Sequence, residues 1–378
     1  DKNIRDDTQI SRLLKYNIKE QDINLFLRAW NQMNNTKECI YVGYDSTNFN
    51  TNAYGIELAD YGHPKVDEGL PQYNLAYAVN QKDSTPLFYE LYDGSVIDNT
   101  ELEIMLEEAK EFGHEKLGVL MDRGYISEKN IKALRTKGYE YILMMKQNQR
   151  ICQEIIEEYG AAVQSLEGYY IGEHGVYGTT VKKQLYGQET NIHVYYDDIR
   201  ASEEKVALMS RYETWEKEIE KKVAKRIATE GEMKKYRKVF KLKYDQNGYL
   251  VAYQRNSRYI KEEIRNLGFF FIITSEEMSA SKALDIYRGR DNIEKMFRSL
   301  KSGIDFNKAR VHTTESLKSK VFVTFIAMIV RNELFQKAEE LRKKNRKAYT
   351  VPGMISELEN IECTRNSVGK YRRKYALT

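Results

Sequence analysis

Four side chains in the stretch YRGRDNIEKMFRSLK could do chemistry together: Tyr287, Arg290, Glu294 and Lys301. They stand at i, i+3, i+7 and i+14, positions that share one helix face at ~3.6 residues per turn. A phenol, a guanidinium, a carboxylate and an ammonium would then line a single stripe. By itself such a stripe is an ordinary solvated face, and Arg290 with Glu294 an i, i+4 ion pair worth about 0.3–0.5 kcal/mol. It becomes a site only if other segments supply partners. Two acids qualify: Asp45 closes the run YVGYD and Asp122 closes GVLMD. Both are expected where a strand gives way to a loop. In open α/β sheets such exits converge and sites form there, although Asp at a strand exit also serves simply to cap a turn.

Two strand-exit acids and a Glu on a later helix make a three-carboxylate arrangement. Two carboxylates ~4 Å apart repel by about 4 kcal/mol at an effective dielectric near 20. Clustering three therefore calls for a cation. Oxygen-only ligands, without His or Cys, point to Mg²⁺ or Mn²⁺. Two such ions ~3.5–4 Å apart suit phosphodiester chemistry, where they activate the attacking oxygen and stabilise the leaving one. In that setting Glu294 completes the metal site, Arg290 and Lys301 hold phosphates, and Tyr287 positions a backbone or base.

The elements around these residues can be read from periodicity and punctuation. SRLLKYNIKEQDINLFLRAWNQM reads as helix, with Asp22 expected as its cap. CIYVGYDS, YNLAYAVNQ and TPLFYELYDG read as three strands of a meander, the last two joined by the polar turn QKDS. NTELEIMLEEAKEFG is an amphipathic helix closing on Gly113. KLGVLMD has the short, apolar, charge-bounded form of a buried parallel strand. Ser127 caps the next helix, Gly138 ends it, and YEYILMMK is a further strand. Beyond Lys146 the pattern changes to Tyr- and Gly-rich strands at about 165–198, a long charged helix near 201–230, and a hairpin turning at DQNG. GFFFIITS then returns to a buried-strand pattern, and Ser279 opens the helix expected to carry the whole stripe. Strands alternating with helices predict a mixed sheet flanked by helices.

Composition sets the outer bounds. A chain of 378 residues with 31% charged residues can bury a large core, and its length suits two domains or one with a large insertion. The longest apolar run, VFVTFIAMIV, is too short to span a bilayer. Cys39, Cys152 and Cys363 are odd in number and far apart, which fits a reducing compartment rather than a disulfide framework. His63, His114, His174, His193 and His312 show no zinc-like pairing with Cys. Net charge is only +4, but the basic residues are grouped: Lys221 to Lys243, Leu341 to Lys347 and Lys370 to Lys374. Such blocks with interleaved Tyr and Phe suit a polyanion such as nucleic acid, or are solvated faces. With no basic-then-apolar leader, no export or membrane association is expected. The opening at Asp1 rather than Met implies a boundary or a missing segment.

The spacing Y-x2-R-x3-E-x6-K resembles the signature of bacterial insertion-sequence transposases of the DDE class, in the large group conventionally numbered four. YDSTNF, LMDRGYIS and RVHTTESLKSKVFVTFIAMIVRNEL are similar to that family's segments around its two aspartates and after its glutamate. The likeness runs from about Cys39 to Phe335. It implies a ribonuclease-H-like α/β fold, a catalytic and metal-binding triad of Asp45, Asp122 and Glu294, and two Mg²⁺ or Mn²⁺ ions. It implies DNA as partner, both terminal inverted repeats and target, with a homodimer in synapsis, and a bacterial cytoplasmic location at the nucleoid. Tyr287, Arg290, Arg298, Lys301 and Arg123 are the expected DNA contacts. Many relatives carry Arg-Pro-Asp where this chain reads Gly69, Leu70 and Pro71, so Lys65 or His63 is expected to substitute for that Arg.

On this resemblance the chain divides into a helical remnant (1–38), the first part of the core (39–146), a strand-containing insertion (147–266), the second part of the core (267–335) and a basic C-terminal segment (336–378). Family insertions can hold a DNA hairpin through tryptophan. Trp215 lies in the insertion, and base stacking competes with ordinary packing there. The short N-terminal region is expected to weaken specific recognition of transposon ends. Two other functions stay open: a host nuclease on the same fold, which would cleave without inverted repeats, and a DNA-binding protein that has lost activity.

Overall fold

The computed structural model describes residues 6–35, 39–61, 69–95, 98–114, 116–121, 123, 126–165, 167–225, 230–291, 310–345, 350–359, 361–365 and 371–375. In chain order the elements are α1 (Asp7–Arg12), α2 (Glu20–Asn34), β1 (Ile40–Asn50), β2 (Gln72–Asn80), β3 (Pro86–Asp93), α3 (Asp98–Glu111), β4 (Leu117–Met121), α4 (Glu128–Thr136) and β5 (Glu140–Met144). There follow α5 (Arg150–Ser165), β6 (Tyr170–Ile171), β7 (Val176–Leu185), β8 (Gln188–Tyr196), α6 (Asp198–Lys225), β9 (Phe240–Tyr244), β10 (Leu250–Arg255), α7 (Ser257–Arg265), β11 (Phe269–Thr274) and α8 (Ala280–Arg288). The last are α9 (Thr314–Asn345), α10 (Val351–Glu359), β12 (Ile361–Arg365) and β13 (Tyr371–Tyr375). They form two compact units, one of residues 1–141 with 286–378 and one of residues 142–285. Among the described residues no helix is long and apolar enough to cross a membrane.

In the first unit β1, β2 and β3 form the expected antiparallel meander, and β4 runs parallel to β1. The strand order is β3-β2-β1-β4, a mixed sheet. Alternate residues of β3 reach opposite layers: Phe88 packs on Phe112 just after α3 (5.4 Å), and Tyr89 on Phe325 of α9 (5.1 Å). Helices therefore cover both faces, which is why nearly every residue of β2 is buried. This is the α/β class expected for a ribonuclease-H-like core. Gly118 has a local reason. A Cβ there would lie 2.5 Å from the ring of Tyr41, its partner across the β1–β4 ladder.

α2 is pinned to β3 by its polar side chains. Asn31 donates to the carbonyls of Leu27 and Leu87, and Trp30 donates to that of Pro86. His114, buried, meets the Asn31 amide oxygen at 2.7 Å, and burial lowers its pKa. The cap of α2 differs from expectation. Lys19, with extended backbone, holds the cap position, and Asp22 accepts from the Lys19 amide three residues upstream. Asp22 thus supplies the returning half of a capping box. The caps at Ser127 and the left-handed glycines Gly113 and Gly138 are as read.

The entry to α9 is tied to the loop after β1. Gly55 bridges Thr313, the Thr314 amide donates to the Gly55 carbonyl (3.2 Å), and the Glu57 amide donates to the Thr314 hydroxyl (2.9 Å). A Cβ on Gly55 would sit 2.4 Å from the His312 carbonyl oxygen.

In the second unit, the sheet order β5-β11-β8-β7-β6 is antiparallel throughout. All six residues of β11 are buried. His193 on β8 lies fully buried between Thr180 of β7 (2.8 Å to Nδ1) and Thr274 of β11 (3.0 Å to Nε2). Thr274 gives its hydroxyl proton to the Glu276 carbonyl (2.7 Å). It therefore accepts from Nε2–H, and Nδ1 accepts from Thr180. A separate cluster joins α6, the β9–β10 hairpin and α7 around Tyr212, Ile219, Tyr236 and Phe240. The hairpin turns at Asp245–Gly248 as expected, with Gly248 at positive φ.

Candidate active site

The three expected carboxylates differ in what the structure says of them. Asp122 and Glu294 lie outside the described residues, as do Arg298, Lys301, Lys65 and His63. Asp45 is placed by its backbone. It does not end a strand, as the sequence suggested. β1 runs on to Asn50, and Asp45 pairs with Tyr77 in mid-ladder. The polar residues Thr47 and Asn48, each 5% exposed, continue the strand because β2 pairs with it from Val42 to Asn50.

Register gives this position its meaning. β1 and β4 are parallel, with Val42 beside Val119 and Gly43 beside Leu120. Asp45 is two residues beyond Gly43. β4 closes at Met121, the residue before Asp122. Across the meander Asp45, Tyr77 and Tyr89 form one row. Tyr77 stacks on Phe325 at 6.1 Å, and burial first, then Tyr89 and Tyr73, push its pKa far above the ordinary phenol value. A tyrosinate at that row is excluded at neutral pH.

The stripe helix is also interrupted. α8 opens with the Ser279 hydroxyl accepting from the Lys282 amide (3.2 Å), as read, but ends at Arg288. Gly289 and Arg290 form tight i→i+3 bonds to Ile286 and Tyr287 (3.2 and 3.0 Å). So Tyr287 and Arg290 are not on consecutive turns of one unbroken helix. The break falls at the residue with no Cβ, where a Cβ would lie 2.1 Å from the Gln81 amide nitrogen. Gln81 in turn donates its backbone amide to the Tyr41 carbonyl (2.9 Å), next to the β1–β4 ladder. Tyr287 is 7% exposed, Arg290 half-buried, and Arg123 exposed.

One feature was not singled out from the sequence. A pocket of about 200 Å³ opens beside the far end of β1, lined by Asn50, Thr51, Asn52, Leu70, Arg310 and His312 among others. Its chemistry, among the described residues, is two amides, a hydroxyl, a guanidinium and an imidazole. Arg310 holds positive φ, a conformation no pattern in the sequence announces. Trp215 packs on Tyr212 (5.9 Å) and edge-on to Tyr236 (5.6 Å), with Arg211 over its ring. That packing accounts for it.

Among the described residues no three His, Cys, Asp or Glu side chains stand close enough to share a metal ion. The expected donors are carboxylates only, a set that fits hard divalent cations such as Mg²⁺ or Mn²⁺.

Residues 42–330 match the family described as "Transposase DDE domain". Among solved structures, a piggyBac transposase synaptic complex with hairpin DNA is similar at 8% identity and a TM-score of 0.43, over 95% of this chain and 59% of that one. The Mos1 transposase paired-end complex with left transposon end matches at 15% identity and a TM-score of 0.20, over 37% of this chain and 43% of that one. The chain thus spans less than two thirds of the length of either. No curated protein matches it.

Proposed function

Since the chain belongs to the transposase DDE domain family, we propose that it is a DNA transposase whose catalytic carboxylates are Asp45, Asp122 and Glu294. One observation carries the assignment of the two aspartates. Asp45 and Asp122 follow Gly43 and Leu120, a pair in parallel register, by the same two residues. Parallel neighbours offset equally share a sheet end, where ligands bind in open α/β folds. Glu294 follows four residues after Arg290, in the segment that starts where Gly289 abuts Gln81.

The three carboxylates would hold two Mg²⁺ or Mn²⁺ ions, which when bound supply activation of an attacking oxygen and stabilisation of a leaving one. The remaining work belongs to the chain. Arg290 and Lys301 hold phosphates against the carboxylates, and Tyr287, buried, fixes the turn that presents Arg290. Arg298, Arg123, Lys65 and His63 contact the DNA backbone, which positions the strand without reading sequence. The pocket around Arg310 and His312 suits a further phosphate. The reaction opens one phosphodiester by water and then attacks another with the freed 3′-hydroxyl. In the second step one P–O bond forms as one breaks, so no external energy source is needed. We read residues 147–266 as the insertion before the Glu segment, and synapsis as requiring two copies.

The test is metal-dependent nicking and joining of DNA built from the sequence flanking the gene. Asp122→Asn is expected to abolish both with an unchanged melting temperature. Undiminished strand transfer by that variant would refute the assignment.

A further inference from the structure

The basic segment ending at Lys243 plays no part in the site above, yet the fold displays its last lysines in a particular way. The β9–β10 hairpin has an inner and an outer face. Phe240, Leu242 and Leu250 point to the cluster under α6. Lys241 and Lys243 alternate with them and are exposed. Across the ladder Lys241 pairs with Gln254 and Lys243 with Ala252, both exposed as well.

Charge follows the same division. Three acids of α6 are engaged at the inner side: Glu216 with Arg255, Glu218 with Lys235 (3.1 Å) and Tyr236, and Glu220 with Tyr253 (2.9 Å). The single acid of the hairpin, Asp245, accepts from the Asn247 and Tyr249 amides of its own turn, both at 2.9 Å. Lys241 and Lys243 form no ion pair with any described residue. The paired outer positions thus carry two ammonium groups, one amide and one small side chain, beside the exposed Val251 of the bulge.

Its shape is that of a two-stranded antiparallel ribbon, with strands ~4.8 Å apart and a length of roughly 17–20 Å. The major groove of B-DNA, ~12 Å wide, admits such a ribbon. Lysines at its rim reach phosphates, Gln254 can meet a base edge, and Ala252 leaves room for a thymine methyl. We propose that the outer face of β9–β10 is a duplex-DNA contact that enters the major groove, with Lys241 and Lys243 on the flanking phosphates. This rests on the reading of the chain as a DNA transposase and names a second, non-catalytic surface for the same substrate.

The test is binding of the full chain to a labelled duplex of arbitrary sequence, by fluorescence anisotropy, without divalent metal, at several salt concentrations. Each phosphate contact contributes about 0.9 to the slope of log K against log salt. The pair Lys241→Ala/Lys243→Ala should lower that slope by about 2. The pair Lys205→Ala/Lys261→Ala, exposed on α6 and α7, removes equal charge and should leave it unchanged. Nicking at saturating DNA should be the same for the parent and the Lys205→Ala/Lys261→Ala control. An unchanged slope in the ribbon variant would make the face merely solvated and overturn the proposal. Equal losses in both pairs would reduce the effect to net charge and overturn it as well. A parent chain that binds no duplex overturns this proposal and the proposed function together, whereas a fully active Asp122→Asn variant sinks only the catalytic assignment.

Discussion

His193 offers a sharp physical test because its partners define its proton. Burial lowers its pKa from the ordinary 6.5 to about 4. The folded protein therefore binds fewer protons than the unfolded chain between those values. Stability from the neutral ring is complete above pH 6.5, declines as pH falls, and is lost by about pH 4, below which both states are protonated. The shift corresponds to about 3 kcal/mol of linkage. The comparison is His193→Gln, which keeps an amide donor and acceptor but cannot titrate. The assay is urea unfolding at a series of pH values from 7 to 4, followed by Trp215 fluorescence in a Trp30→Phe background. Of the two tryptophans, Trp215 alone belongs to the unit that contains His193. Carboxylates titrate in both proteins and cancel in the difference. The parent should lose about 3 kcal/mol more than the variant across that range, most of it below pH 6. Parallel curves would mean that the ring is solvated or already charged, and the assigned tautomer chain from Thr180 to Glu276 would be wrong.

Two further perturbations address the first unit. Phe325→Ala removes the fully buried ring that contacts both Tyr77 and Tyr89, the row shared with Asp45, and should cost about 3–5 kcal/mol; urea unfolding followed by Trp30 checks it, and a loss below about 1 kcal/mol would refute the packing. Gly289→Ala should destabilise by about 1–3 kcal/mol through overlap with Gln81, and Gln81→Ala in the same chain should restore most of it. Absence of that rescue in melting experiments would remove Gln81 as the cause.

Much of the frame was legible because local signals and burial agreed. YNLAYAVNQ and GFFFIITS carry enough apolar and aromatic residues to be strands wherever they pack, and Ser127, Gly113, Gly138 and Gly248 act through backbone geometry that needs no tertiary partner. The misreadings came where a partner decides. STNFN is too polar to propose a strand, yet β2 supplies hydrogen bonds along it and carries β1 past Asp45. The stripe looked continuous because helical spacing ignores what presses on Gly289; Gln81 is distant in sequence and announced nothing. α9 combines an apolar middle with charged ends, so its inward face is hard to pick out by periodicity, although Phe322 and Phe325 choose separate neighbours, Phe26 and the tyrosine row. Asp45, Asp122 and Glu294 were proposed from spacing and resemblance, whereas the Arg310 pocket depends on a positive φ at Arg310 that no sequence pattern announces.

The Gly55 bridge has a mechanical consequence. Together with the seat of Gly289 on Gln81, it fastens the polypeptide on both sides of the stretch that carries Glu294, Arg298 and Lys301. Both contacts are moorings within the first unit. A methyl group at position 55 would strike the His312 carbonyl and loosen one mooring. Its effect would surface at the start of α9, more than two hundred residues away along the chain.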